Sequence, residues 1–152
     1  MHLRFDAMVS IPTPPHVHFF RDWPIDLPKL PGVYAIWRGS QLVYAGMTGE
    51  NWTPERPGTS HLKQRLSDHA RATRANVFQS YVFERFVGRH LQAADWDELE
   101  AGRRHMNDYA REFIRAELSF SYAVARDGQE ARAWEDEIRA GALGQRPLIN
   151  PA

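Results

Sequence analysis

Arg65, His69 and Glu135 stand where a helix would turn a polar group toward its packed face, and Tyr34 and Tyr44 stand in two β-rich runs. Arg65 and His69 are i and i+4 in a stretch where Leu62, Leu66, Ala70 and Thr73 form one helical stripe. With Leu62 set at 0° on a helical projection, Arg65 falls at about −60° and His69 at about −20°, so both border the stripe and project together. A charge at that border needs a partner or a ligand. For Arg65 it is either a core-edge carboxylate or an anion to be bound, and His69 is either a hydrogen-bonded core histidine or a member of the same site. Glu135 is the sharper signal. With Ala131 at 0°, Trp134 falls at about −60°, Ile138 at about −20°, Ala142 at about 20° and Glu135 at about 40°, inside the apolar stripe. An acid on a packed face implies a cation. That cation is either Mg²⁺, held by one carboxylate plus water and phosphate oxygens, or a buried arginine, Arg65 among them.

The two tyrosines sit in β-rich runs, residues 33–37 and 41–45, around Gly39-Ser40, which reads as a β-hairpin. Its register decides their use. A two-residue turn at Gly39-Ser40 sends Tyr34 and Tyr44 to opposite faces, whereas a three-residue loop Arg38-Gly39-Ser40, or a bulge, puts both on one face. Aromatic residues in a hairpin are usually core, and the residues alone leave the register open.

The other elements follow from periodicity and punctuation. Residues 61–74 read as a helix capped by Thr59 or Ser60, and 46–60 as a long loop of the kind used for binding or gating. Residues 77–83 are expected to be a strand followed by a short helix. Residues 95–116 read as a helical region with a soft point at Gly102, and 129–142 as the last helix. Leu118, Phe120, Tyr122 and Val124 alternate with small residues, as in a strand with one apolar face. Six prolines within residues 1–31 mark an extended leader that wraps on the core and contributes one edge strand at most. The expected fold is a mixed α/β domain of the α+β type: a small, mostly antiparallel sheet of three or four strands flanked by helices.

At 152 residues, with 43% hydrophobic and 25% charged residues, the chain is the size of one domain and can hold its own core. It has no cysteine, which excludes thiol catalysis and thiolate zinc sites and makes a cytoplasmic location the default. No apolar run has the length of a signal peptide or a membrane span. The 19 basic and 19 acidic residues cancel, which argues against coating nucleic acid by bulk charge. Locally they do not cancel. Lys63, Arg65, Arg71, Arg74, Arg85 and Arg89 face only Asp68 and Glu84, while Asp95, Asp97, Glu98 and Glu100 follow at once. Lys63, Arg71 and Arg74 project from the first helix away from its buried stripe and are candidate phosphate contacts.

Three further candidates carry less. His16 and His18 alternate along an extended chain and point opposite ways, so they do not share a metal. Asp95 and Asp97 read as the acidic start of a helix. Trp37 and Trp52 could stack on unpaired bases, but tryptophan in a strand or loop more often packs on its own protein.

In order along the chain stand Pro31-Gly32-Val33-Tyr34, Tyr44-Ala45-Gly46, Arg65-x-x-x-His69, Glu135 and Pro147-Leu148-Ile149-Asn150. This series, spanning residues 30–151, resembles the GIY-YIG nuclease superfamily, with Gly32-Val33-Tyr34 as the first motif and Tyr44-Ala45-Gly46 as the second. The resemblance implies residues 32–152 as the nuclease domain, with insertions at about 46–60 and 75–116. It also implies a divalent-metal-dependent endonuclease acting on nucleic acid, DNA in the first place. Both tyrosines would share one site, which requires the three-residue-loop register or a bulge that puts them on one face; Tyr34, by preference, would help deprotonate the attacking water, assisted or oriented by Tyr44 and His69. Glu135 would hold a single Mg²⁺ or Mn²⁺, and Arg65 would stabilise charge on the phosphate. Gly32, Gly46 and Asn150 would support the site, Asn150 by fixing the Glu135 helix or the polar network. A tyrosine in that role needs nearby positive charge, from the metal or Arg65, to lower its pKa. Ala45, Met47 where the family often has lysine, and the zero net charge fit a second reading, a catalytically silent nucleic-acid- or protein-binding module.

Overall fold

A computed structural model describes residues 17–73 and 77–150. The hairpin is β2 (Gly32–Arg38) and β3 (Gln41–Thr48), which with β1 (His18–Phe19) and β4 (Leu118–Val124) makes a four-stranded antiparallel sheet in the order β1-β4-β2-β3. The helices are α1 (Leu62–Arg71), α2 (Val77–Val82), α3 (Ala93–Glu100), α4 (Met106–Glu117) and α5 (Gly128–Arg139). Residues 83–87 continue α2 as a π-helical turn and 88–90 as a 3₁₀ turn. The α+β class and the antiparallel sheet match the sequence reading. Among the described residues no helix is long and apolar enough to cross a membrane.

The sheet separates two cores. Tyr34, Ile36 and Phe120 pack with α1, α2 and α4 on one side, while Val33, Ala35, Trp37 and Ala45 pack with Ala131, Trp134 and Ile138 of α5 on the other. The leader does more than wrap. The first-turn N–H groups of a helix have no intrahelical acceptor. In α1 the N–H groups of Leu62 and Lys63 donate to the carbonyls of Leu30 (2.9 Å) and Pro28 (3.2 Å), which ties the leader to the helix that carries Arg65 and His69.

Three expectations are corrected. Residues 77–83 are helical, not a strand: Phe78, Val82 and Phe86 recur at i, i+4 and bury against the core, and that packing overrides the β propensity of Val77, Tyr81 and Val82. The cap of α1 is neither Thr59 nor Ser60 but His61, whose Nδ1 accepts from the Gln64 N–H at 3.1 Å. The soft point at Gly102 is a full break, since its φ of +72° lies in the left-handed region and separates α3 from α4. Asp95 does start a helix, its carboxylate accepting from the Gln92 N–H at 2.9 Å. His16 lies outside the described residues, and His18 stacks on Phe120 and Tyr122. Trp37 is a core residue whose indole N–H donates to Ser121 Oγ.

Candidate active site

The register question has a mixed answer. At the turn, Arg38 pairs with Gln41 and Trp37 with Leu42, as a two-residue Gly39-Ser40 turn requires. One residue later Ile36 pairs with Tyr44 and Tyr34 with Gly46, so Val43 is the extra residue of a bulge. The bulge moves Tyr44 to the face that carries Tyr34, and the two rings lie 6.4 Å apart. The C-terminal segment braces the outer edge of β3 at that point. Leu148 N–H donates to the Leu42 carbonyl and Ile149 N–H to that of Val43, while the Asn150 side chain accepts from Ala45 N–H at 2.7 Å and donates to its carbonyl at 2.8 Å. Asn150 therefore supports the strand between Tyr44 and Gly46, and not the Glu135 helix.

Both signature glycines mark close approaches. A Cβ at Gly32 would meet the Ala123 carbonyl at 2.4 Å and Leu62 Cδ1 at 2.7 Å, so glycine lets α1 begin hard against the sheet. A Cβ at Gly46 would stand 2.2 Å from the Tyr34 hydroxyl oxygen. Gly46→Ala is accordingly expected to push the Tyr34 ring aside and to cost about 1–3 kcal/mol by overpacking, which a thermal melt of the variant checks.

Tyr34, Tyr44, Gly46, Met47, Arg65, His69, Val77 and Glu135 line one cleft of roughly 270 Å³. All five side chains singled out from the sequence are on its wall. The Tyr34 hydroxyl and His69 Nε2 are 2.6 Å apart, and Phe78 closes the ring cluster at 4.6 Å from His69 and 5.0 Å from Tyr44. His69 is 1% exposed. Burial, with the Arg65 charge adding to it, lowers its pKa to about 3, so the ring is neutral at physiological pH. Burial raises Tyr34 well above the ordinary phenol value and raises Tyr44 too, with the Tyr44 and Glu135 neighbourhood adding to it and Arg65 pulling only partly back. Arg65 does pull both phenols down, but less than burial pushes them up, so in the protein by itself both keep their protons.

Glu135 has 15% of its side chain exposed, and burial holds its carboxyl above the usual range. Its cation partner is Arg139, one turn along α5, at 3.6 Å from Oε1 and with a third of its side chain exposed. The pairing with Arg65 left open by the sequence does not form. Among the described residues no three His, Asp or Glu cluster into a protein cage for a metal. Glu135 is the one carboxylate among the residues lining the cleft, so it is the residue that could hold a divalent ion there. Of the outlying basic residues, Lys63 and Arg71 lie on α1 at about 160° and 120° around the helix from Arg65, away from the cleft, and Arg74 is outside the described residues. Arg139 was missed in the sequence, although its i+4 spacing from Glu135 was the available signal. No family model, curated protein or solved structure matches the chain.

Proposed function

We propose that the protein is a divalent-metal-dependent phosphodiesterase that cleaves nucleic acid, DNA in the first place. The observation that carries the reading is the convergence of Tyr34, Tyr44, Arg65, His69 and Glu135 from β2, β3, α1 and α5 on one cleft. Side chains brought together from such separate parts of the chain, with a half-buried acid and a buried neutral histidine among them, are the environment in which acid–base chemistry is tuned.

The chain's own groups suggest the proton path. In the tautomer with its proton on Nδ1, neutral His69 accepts the Tyr34 hydroxyl proton at Nε2. As water attacks phosphorus, Tyr34 takes the water proton and passes its own to His69, so neither phenolate nor hydroxide accumulates. A phosphate in the cleft adds negative charge beside His69 and makes its protonation easier. Arg65 binds the phosphate and meets the charge that develops on its oxygens. Glu135 would hold the Mg²⁺ or Mn²⁺, which when bound supplies Lewis-acid stabilisation of the phosphate and the leaving oxygen. Tyr44, its ring 5.9 Å from that of His69, orients the attacking side of the cleft.

The test is a cleavage panel of supercoiled plasmid, linear duplex, branched and single-stranded DNA, and RNA, with Mg²⁺, Mn²⁺ or chelator. Cleavage of at least one member that chelator stops is the expected result. A well-folded sample that cuts none at several metal concentrations would overturn the enzyme reading in favour of a silent binding module.

A further inference from the structure

A second cavity of roughly 360 Å³ adjoins the cleft and shares Arg65 and Met47 with it. Its other walls come from the end of β3 and the loop that follows, with Thr48, Asn51, Trp52 and Thr59 among them. The loop is built rather than loose: Trp52 N–H closes a turn on the Gly49 carbonyl at 2.9 Å, Gly128 N–H of α5 donates to the Trp52 carbonyl at 3.0 Å, and Glu50 pairs with Arg132. Thr48 shares with Tyr44 and Gly46 the side of β3 that faces the cleft. It is 1% exposed, and its hydroxyl has no hydrogen-bond partner among the described residues. A buried hydroxyl left unpaired is costly, and beside a cavity it is a group that a ligand's polar edge pairs once the side chain turns toward it.

The chemistry of the walls selects the ligand. Arg65 is the one cation among the lining residues and already belongs to the phosphate site next door, so the chamber is not built for a second phosphate. An indole, a carboxamide and hydroxyls are what a nucleobase needs: a surface to stack on, and paired donors and acceptors for its edge. A cavity of this size takes a small ring system. We infer that the chamber holds one unstacked base of the strand whose phosphate lies at Arg65, which makes the substrate class nucleic acid with an unpaired nucleotide beside the cut. The inference rests on the nuclease reading of the adjoining cleft. A base inside a continuous duplex would have to be flipped out first, so single strands, flaps and bulges are favoured over intact duplex.

The test measures binding by the wild-type protein in chelator, where nothing is cut, to three probes of one length: a single strand, its duplex, and a single strand of abasic residues that keeps the phosphates alone. The single strand is expected to bind at least tenfold tighter than the other two. Thr48→Val should weaken single-strand binding by about tenfold without affecting the abasic strand, and should melt at or above the wild-type temperature because it removes an unpaired buried hydroxyl. Asn51→Ala, at an exposed position, should weaken the same probe and guards against a folding defect in the first variant. Equal binding of the abasic strand, or single-strand binding unchanged in both variants, would overturn the inference. Adding Mg²⁺ to the same probes separates the two readings. Cutting without preference for unpaired nucleotides removes the chamber and keeps the nuclease, whereas base-dependent binding with no cutting keeps the chamber and removes the nuclease.

Discussion

Glu135→Gln is expected to lower cleavage by about 10³-fold or more while leaving the metal-free protein as stable as the wild type, or more so. The expectation follows from the partner that Glu135 has. A buried glutamate facing a buried arginine would strand that cation when neutralised, at a cost of about 3–5 kcal/mol. Arg139 is not such a cation: it is one turn away on the same helix, 3.6 Å from one oxygen and one third exposed. An i, i+4 pair of that kind is worth about 0.2–0.5 kcal/mol, and relief of the desolvated charge offsets it. The sign with pH runs the same way. Burial raises the carboxyl above its unfolded value, so its favourable contribution is full below that value and is lost as pH rises through the raised one. Relative to Glu135→Gln, the wild type in chelator should therefore be more stable near pH 4 than near pH 7. Added Mg²⁺ should stabilise the wild type and do much less for the variant, because binding to the folded state alone raises stability by mass action. Thermal melts with metal and with chelator read all three effects. A large loss of stability in chelator, with the Mg²⁺ effect intact, would take the metal away from this residue.

The parts of the site that the sequence exposed are those set by periodicity. Arg65 and His69 were legible because the stripe Leu62, Leu66, Ala70 fixes the angle of everything else on α1, and Glu135 because an acid in the line of Ala131, Trp134 and Ile138 calls for a cation. The hairpin was legible and a bulge was one of its possible arrangements, yet the bulge's position was not. Val43 is as apolar as its neighbours, so nothing in the pattern marks it as the extra residue, and what braces that edge lies far along the chain in Ile149 and Asn150. Residues 77–83 failed for a related reason. Valine, phenylalanine and tyrosine favour a strand, and only their burial on α4 and the 83–87 turn makes the helix the lower state. The electrostatics were least legible. From sequence a catalytic tyrosine needed positive charge from the metal or Arg65; Arg65 does pull in that direction, but Tyr34 is 2% exposed, and desolvation at that depth outweighs a cation held on the exposed side of α1.

That depth makes His69 the residue through which the site can be read by pH. Its pKa of about 3 lies well below the 6.5 of an unperturbed histidine, so the unfolded chain binds a proton that the folded protein refuses. Stability owed to the neutral ring is complete above about pH 6.5 and is lost as pH falls toward 3, at up to about 1.4 kcal/mol per pH unit for the one proton. His69→Asn has no such proton to take up. At pH 7 it should be less stable than the wild type by about 1–3 kcal/mol, because it unpairs the Tyr34 hydroxyl in a buried place. The two curves should then converge or cross as the solution is acidified to about pH 4. Parallel curves would mean that His69 takes up its proton as readily in the folded protein as in the unfolded chain, so that burial does not hold the ring neutral as pH falls. The same relay sets the order of the kinetic losses: Tyr34→Phe and His69→Asn should each lower cleavage by about 10²–10⁴-fold, and together by little more than either alone, since each breaks the one path. Tyr44→Phe, whose hydroxyl is outside the 2.6 Å bond, should cost less than either. If Tyr44→Phe proves the more damaging, the water proton leaves by Tyr44, and the Tyr34–His69 pair is there to hold the β2–α1 wall in place.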